Sequence, residues 1–306
     1  MYFLNDEERK RLLKGLLPKS RRTDVAEELR GWNWNQPPLE PAYDVPIALY
    51  EVAGKYCANA RDVYLHRVMG LKGKPNKAMA TGTVLHATLA GIVVSAKRLV
   101  YQLGVSRHAE VLSRLAEMGR QTTDGLPPGL SPEDEQEIRR KLGVVRDFAA
   151  ARIGARIREI LAKQPYIGED SLVSLALPVI VEQKLDGTFL GMSAGLSADA
   201  LTLSEPMMVD LKFGQMEPFH RLSTTGYAMV TEAMYEYPVN LGCVVYVDFR
   251  EDRLTIRRDL HIIDDELRQW FIEERDAKMR MINDERDPGV PEGCRTTCPY
   301  HGTCHP

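Results

Sequence analysis

Between Val63 and Ala109 the chain has no aspartate or glutamate. The same stretch carries Arg67, Lys72, Lys74, Lys77, Lys97, Arg98 and Arg107, which predicts a local positive field although the formal net charge is −3. That overall balance excludes a uniformly basic nucleic-acid coat. The local run fits either a surface that holds phosphates or a solvated basic face. No apolar stretch approaches the length of a membrane span, and the start, MYFLNDEERKRLLKG, becomes charged too early for a secretory leader. A cytoplasmic location is expected. The chain also lacks internal repeats and low-complexity segments, which excludes a solenoid or a long disordered linker. Cysteine is scarce, five in 306 residues, and a disulfide framework is not expected in such a compartment.

What is present suits an ordinary globular chain, with 44% apolar and 27% charged residues. The first thirty residues alternate at helical spacing, and GWNWNQPPLEP then interrupts as an ordered connection. A helical reading returns from Pro46 to about Val68, with Cys57 inside it. GLKGKPNK reads as a basic loop, ATGTVLHATLAGIVVSAKRLVYQLG as a long helix, and residues 106–123 continue helically. DGLPPGLSPEDE is a break, and Ser131-Pro132-Glu133-Asp134 is a capped start for a helix running to about Gln164. The period then changes. SLVSLALPVIVEQKL, GMSAGLSADALTL, MMVDLKFG, CVVYVDFR and RLTIRRDLHII read as strands, with HRLSTTGYAMVTEAMYEY as one helix among them. The expected fold class is α/β: a mainly helical region over 1–165, a mixed-sheet core over 166–285, and a cysteine tail over 286–306.

The segment SADALTLSEPMMVDLKFG reads as a hairpin turning at Ser204-Glu205-Pro206, which sets Asp199 opposite Asp210. Opposed carboxylates on one sheet face repel, and a divalent cation between them reverses that sign. Lys212, two residues beyond Asp210, projects from the same face and could orient a water or steady charge on a phosphate oxygen. That set suits metal-dependent phosphodiester hydrolysis. A solvated sheet face with a cross-strand ion pair fits the same spacing. Glu182-Gln183-Lys184 is a second acid-x-lysine triplet, but no turn pairs it with Glu169 or Asp170. Glu182, Lys184 and Asp186 are therefore expected as solvent-facing charges, with Glu182 able to approach the metal from a neighbouring strand.

Three cysteines, Cys294, Cys298 and Cys304, crowd the tail as C-x3-C-x5-C, and Cys57 is the available fourth thiolate. Four thiolates suit a structural zinc or an iron–sulfur cluster. Cys243, in an apolar strand, reads as a buried free thiol.

The ordered set resembles the PD-(D/E)xK nuclease superfamily, with Asp199 and Asp210-Leu211-Lys212 as its acids and lysine. GTVLHATLAG supplies His86 where the RecB-like branch carries a metal-ligating histidine, and imidazole favours Mn²⁺-type ions. Ser223-Thr224-Thr225-Gly226-Tyr227 is similar to that branch's Q-x-x-x-Y element, with Tyr227 matching and Ser223 standing where glutamine is usual. One cysteine before and three after these motifs resemble the iron–sulfur RecB-like nucleases, including the CRISPR-associated "Cas four" family. Tyr56-Cys57 with Arg61, Cys298-Pro299-Tyr300 and WNWNQPPLEPAYD look like its archaeal Csa subgroup, although the tail spacing of three replaces the usual two.

The resemblance implies a restriction-endonuclease-like mixed sheet with flanking helices and a 4Fe–4S cluster on Cys57, Cys294, Cys298 and Cys304. It implies Mn²⁺ or Mg²⁺ on His86, Asp199 and Asp210, with Lys212 and Tyr227 at the reaction. Lys72, Lys74 and Lys77 would hold single-stranded DNA or DNA ends. It further implies trimming of DNA fragments for CRISPR spacer acquisition alongside integrase subunits. A non-catalytic scaffold with the same fold, and an unrelated zinc-binding structural protein, are the competing readings.

Overall fold

A helix buries its apolar stripe or does not persist, and the two longest helices of this chain bury theirs on each other and on one face of a sheet. The computed structural model describes residues 1–74, 76–120, 126, 130–202, 204–251 and 253–306. Four short helices come first: α1 (Asp6–Leu13), α2 (Leu16–Arg22), α3 (Leu49–Ala53) and α4 (Arg61–Arg67). A capping box fixes α1, with Asn5 and Glu8 each accepting the other's backbone N–H, at 2.8 and 2.9 Å. The expected continuous helix from Pro46 to Val68 is corrected. Gly54 closes α3, and Ala60, at φ +60°, turns the chain into α4, leaving Cys57 on the loop between them.

The long helices follow: α5 (Lys77–Leu103), α6 (His108–Arg120) and α7 (Pro132–Lys163). Asn76 caps α5 by accepting from Met79 N, and Gly104, at φ +76°, follows its end. Ser131 caps α7, with Pro132 and three acids in its first turn, as the sequence predicts. Most of the DGLPPG break lies outside the described residues. The absence of a membrane-length apolar run is also corrected. Over 18 residues α5 reaches a mean hydropathy of 1.5, which suffices by length and composition. Here Leu85, Leu89, Ile92, Val93, Ala96 and Val100 of α5 enter the protein core.

SLVSLAL was expected to be extended, and most of it is instead α8 (Glu169–Ala176). Short apolar runs look alike in either state, but acids in the first turn and Leu172, Val173 and Ala176 on one buried face favour the helix. The strands are β1 (Val179–Leu185), β2 (Leu196–Thr202), β3 (Met207–Phe213), β4 (Leu241–Arg250) and β5 (Arg253–Ile262), in that spatial order. Of these five strands only β3 and β4 pair in parallel, and α9 (Arg221–Tyr235) makes the crossover that a parallel pair requires. α10 (Asp265–Asn283) and the single turn α11 (His301–Cys304) close the chain. Helices α5 and α7 cover one face of the sheet, while α9, α10 and α3 cover the other. The chain is thus a mixed α/β fold, with β3 and β4 buried at its centre.

Candidate active site

Period-2 alternation on β3 buries Val209 and Leu211 in the α5–α7 core and Met208 in the α9–α10 core. Asp210 and Lys212 share the parity of Met208. The β2–β3 ladder pairs Ala200 with Val209, Leu201 with Met208 and Thr202 with Met207, the register expected from the turn. Asp199 and Asp210 occupy the first position beyond it, where the strands part. The Asp199 carboxylate takes over from the ladder there, its Oδ2 accepting from Leu211 N at 2.7 Å.

α5 brings His86 to the same place, with Nδ1 3.2 Å from Asp199 Oδ2 and its ring edge-on to Phe213. Burial opposes protonation of His86, but the hydrogen bond and charge of Asp199, with Asp210 behind them, hold its pKa above the ordinary value. Lys212 Nζ lies 3.0 Å from Asp210 Oδ2. Burial pushes the Asp210 carboxyl up, Lys212 opposes that shift and Asp199 adds to it. Burial would lower Lys212, and the Asp210 charge overcomes it to give a raised pKa.

Asp210 Oδ2 is buried and ion-paired with Lys212 at 3.0 Å, but among the described residues no group gives it a well-aligned hydrogen bond, so it keeps acceptor capacity that a cation could use. His86, Asp199 and Asp210 supply one nitrogen and two carboxylates, a donor set suited to Mn²⁺ or Mg²⁺. Among the described residues, however, no three His, Cys, Asp or Glu side chains already stand together at metal-binding distance.

Tyr227 on α9 donates to the Ser197 carbonyl at 2.8 Å, and burial followed by the Asp210 and Asp199 charges raises its pKa. Glu182 is exposed, at φ +51°, at the position across from Asp199 in the β1–β2 register. It accepts from Ser197 Oγ at 2.8 Å. Glu182 is therefore a solvent-facing charge, as expected, but one held at the site's rim. The basic stretch is less free than its sequence suggests. Lys72 and Lys74 are exposed, but Lys77 is paired with Asp134 (2.6 Å) and Glu137 of α7.

Cys57, Cys294 and Cys298 line one cleft of 220 Å³, and Cys304 Sγ lies 3.5 Å from an Arg61 nitrogen on α4. The tail is stitched to the loop before α5. Lys74 N donates to Pro299 O (3.0 Å), Asn76 Nδ2 to Thr297 O (2.9 Å) and Tyr300 OH to Leu71 O (3.2 Å). Cys243 is buried and burial pushes its thiol up to about 12, as suits an inert core residue.

Sequence reasoning missed two groups here. Among the described residues the buried Tyr2 hydroxyl has no hydrogen-bond partner, and burial with the charges of Asp199, Glu182 and Asp210 drives its pKa well up. His220 sits at the N-terminus of α9, with its pKa brought down to about 4 by burial and by Lys212. An apolar MYFL ahead of the first cap could have hinted at Tyr2. Nothing local marks His220.

On the edge strand β5, His261 is 5% exposed, with Nδ1 3.0 Å from Asp259 O and Nε2 2.9 Å from Thr224 Oγ of α9. Burial lowers its pKa to about 4. Neutral when folded and protonated when unfolded, it contributes stability above about pH 6.5 that is lost as pH falls towards 4. Thermal melts should therefore fall across that window, at up to about 1.4 kcal/mol per pH unit for this one proton. His261→Gln should flatten the slope by that share. An unchanged slope would mean that His261 is charged in the folded protein.

The family model described as "CRISPR-associated exonuclease Csa1" matches residues 1–306 of the chain. A protein of Saccharolobus solfataricus named CRISPR-associated exonuclease Csa1 is 32% identical over 290 residues, covering 95% of this chain and 94% of its own. One of Thermoproteus tenax with the same name is 30% identical over 284 residues, covering 92% of each.

Proposed function

Because the chain belongs to the CRISPR-associated exonuclease Csa1 family along its whole length, we propose that it is a metal-dependent DNA nuclease of a CRISPR system. The observation that carries this reading is the buried Asp210 carboxylate, ion-paired with Lys212 and gathered with Asp199 and His86 at one place. A bound Mn²⁺ or Mg²⁺ would polarise the scissile phosphate and lower the pKa of an attacking water. Asp199 and Asp210 would hold that cation, and His86 would supply the nitrogen ligand. Lys212, fixed by Asp210, orients the water and steadies charge on a phosphate oxygen. Tyr227 holds β2 in place through Ser197 and so positions Asp199.

The antiparallel β1–β3 meander, followed by a parallel strand after one crossover helix, supports a restriction-endonuclease-like core. The cleft shared by Cys57, Cys294 and Cys298 supports an iron–sulfur cluster of the 4Fe–4S type, for which Cys304, now against Arg61, would be the fourth thiolate. Its role is closure, since the tail it fixes also holds the loop carrying Lys72 and Lys74 and leading to His86. Lys72 and Lys74 offer the exposed cations for DNA, with Lys77 the less available of the three. The activity fits trimming of DNA ends before integration as spacers, with the integrase subunits as partners.

The test is a nuclease assay on single-stranded and duplex DNA with Mn²⁺ or EDTA, run beside iron and zinc analysis. Cleavage should require the divalent cation, and a brown preparation with iron should be obtained. A protein that cuts equally in EDTA, or never cuts, would overturn the nuclease reading; zinc without iron would overturn only the cluster type.

A further inference from the structure

The aromatic ring that stands between the cysteine tail and the catalytic lysine is more exposed than its fixed position requires. Tyr56 is 56% exposed, yet its hydroxyl is 2.8 Å from His220 Nε2 and its ring packs edge-on against Phe219, centroids 5.0 Å apart. The hydrogen-bond chain behind it has one consistent direction. Tyr246 OH donates to the Glu217 carbonyl, His220 Nδ1–H donates to Tyr246, and His220 Nε2 is left to accept the Tyr56 O–H. Tyr246 pairs with Lys212 in the β3–β4 register, so the chain runs from the catalytic strand to Tyr56. The Lys212 and Asp210 charges both reach the Tyr56 phenol.

Arg295 completes the arrangement. Its guanidinium lies over the Tyr56 ring, 5.9 Å from the centroid, and is held by Glu217 at 3.1 Å while remaining half exposed. A rigid, solvent-facing aromatic ring with an arginine over it, beside a phosphate-cleaving centre, suits an unpaired base and its phosphate. A duplex keeps its bases stacked on each other and cannot offer one to such a ring.

We propose that Tyr56 and Arg295 form a stacking subsite for an unpaired nucleobase, which places the adjoining phosphate at the carboxylates and selects single-stranded ends. The proposal rests on the nuclease reading above, and Tyr56 acts in it as a binding residue. Stacking on an aromatic side chain predicts a roughly 5- to 100-fold loss of single-strand affinity when the ring is removed.

The experiment uses the full chain carrying Asp210→Ala, so that DNA is bound and not cut. Fluorescence anisotropy is read on a labelled single-stranded oligonucleotide and on a blunt duplex. Adding Tyr56→Ala should weaken single-strand binding in that range and leave duplex binding within two-fold. Adding Tyr56→Phe should keep the affinity, because the ring remains, and Arg295→Ala should weaken it several-fold. An oligonucleotide with 2-aminopurine at its end should be quenched on binding the Asp210→Ala chain, and less so with Tyr56→Ala. Metal content and melting temperature serve as controls, because Cys57 is adjacent. If Tyr56→Ala is unstable, the quench in the Asp210→Ala chain still decides, since its absence overturns the proposal. Equal affinity of Tyr56→Ala for single strands also overturns it. Neither outcome touches the nuclease reading, which stands or falls on Mn²⁺-dependent cleavage by the unsubstituted protein.

Discussion

Asp210→Asn, like Asp210→Ala, is expected to lower metal-dependent cleavage by roughly 10²- to 10⁴-fold, because a cation centre is worth several kcal/mol to phosphoryl chemistry. The fold should survive. Asp210 is 6% exposed, and burial pushes its carboxyl up although Lys212 Nζ stands 3.0 Å from Oδ2 and opposes the shift. A buried charge compensated only in part is a cost that the fold bears for its site. In EDTA the melting temperature of Asp210→Asn should therefore equal or exceed that of the unsubstituted protein. Wild-type cleavage by the variant would remove Asp210 from the site. A large loss of melting temperature would make the carboxylate structural.

The hairpin carrying Asp210 was legible because everything that specifies it is local. Its two strands alternate with period 2, and Ser204-Glu205-Pro206 fixes the turn, so the register between Ala200 and Val209 follows by counting. The cap at Ser131 was legible for the same reason, whereas Asn76 was read into the basic loop and α5 begins three residues before the expected Ala80. Features set by distant packing were not legible. α8 resembles a strand until its buried face is known. The positive run from Val63 to Ala109 looked free until α7 folded Asp134 and Glu137 onto Lys77. Tyr2, His220 and the rim position of Glu182 become visible only when the N-terminus, the start of α9 and β1 meet around one pair of carboxylates. The cysteine set was found from its spacing in the tail, and His86 through resemblance, which reads positions in order and needs no contacts.

Glu232→Ala is expected to destabilise the protein by about 3–5 kcal/mol, the cost of stripping one partner from a buried ion pair. Glu232 and Arg268 are both 0% exposed. The carboxylate accepts from Arg268 twice, at 2.7 and 2.9 Å, from Arg30 at 2.9 Å, and from the backbone N–H groups of Gly31 and Val239 at 3.0 and 2.9 Å. Alanine would leave two guanidinium groups and two N–H groups in a dry core. The same carboxylate joins α9 to α10 and to the segment at Gly31, where an added Cβ would meet Met229 O at 1.9 Å, so the space cannot close by collapse. A fall in melting temperature of order 10 °C should follow. Replacing both Glu232 and Arg268 by methionine should recover part of it, because no charge of that pair is then left without its partner, and Arg30 keeps Asn240 Oδ1 at 2.6 Å. α9 also carries Tyr227, so Glu232→Ala should slow cleavage in proportion to the fraction unfolded, with no change in metal requirement. A variant that melts within 2 °C of the unsubstituted protein would show that water or a rearranged Arg268 satisfies the site at little cost.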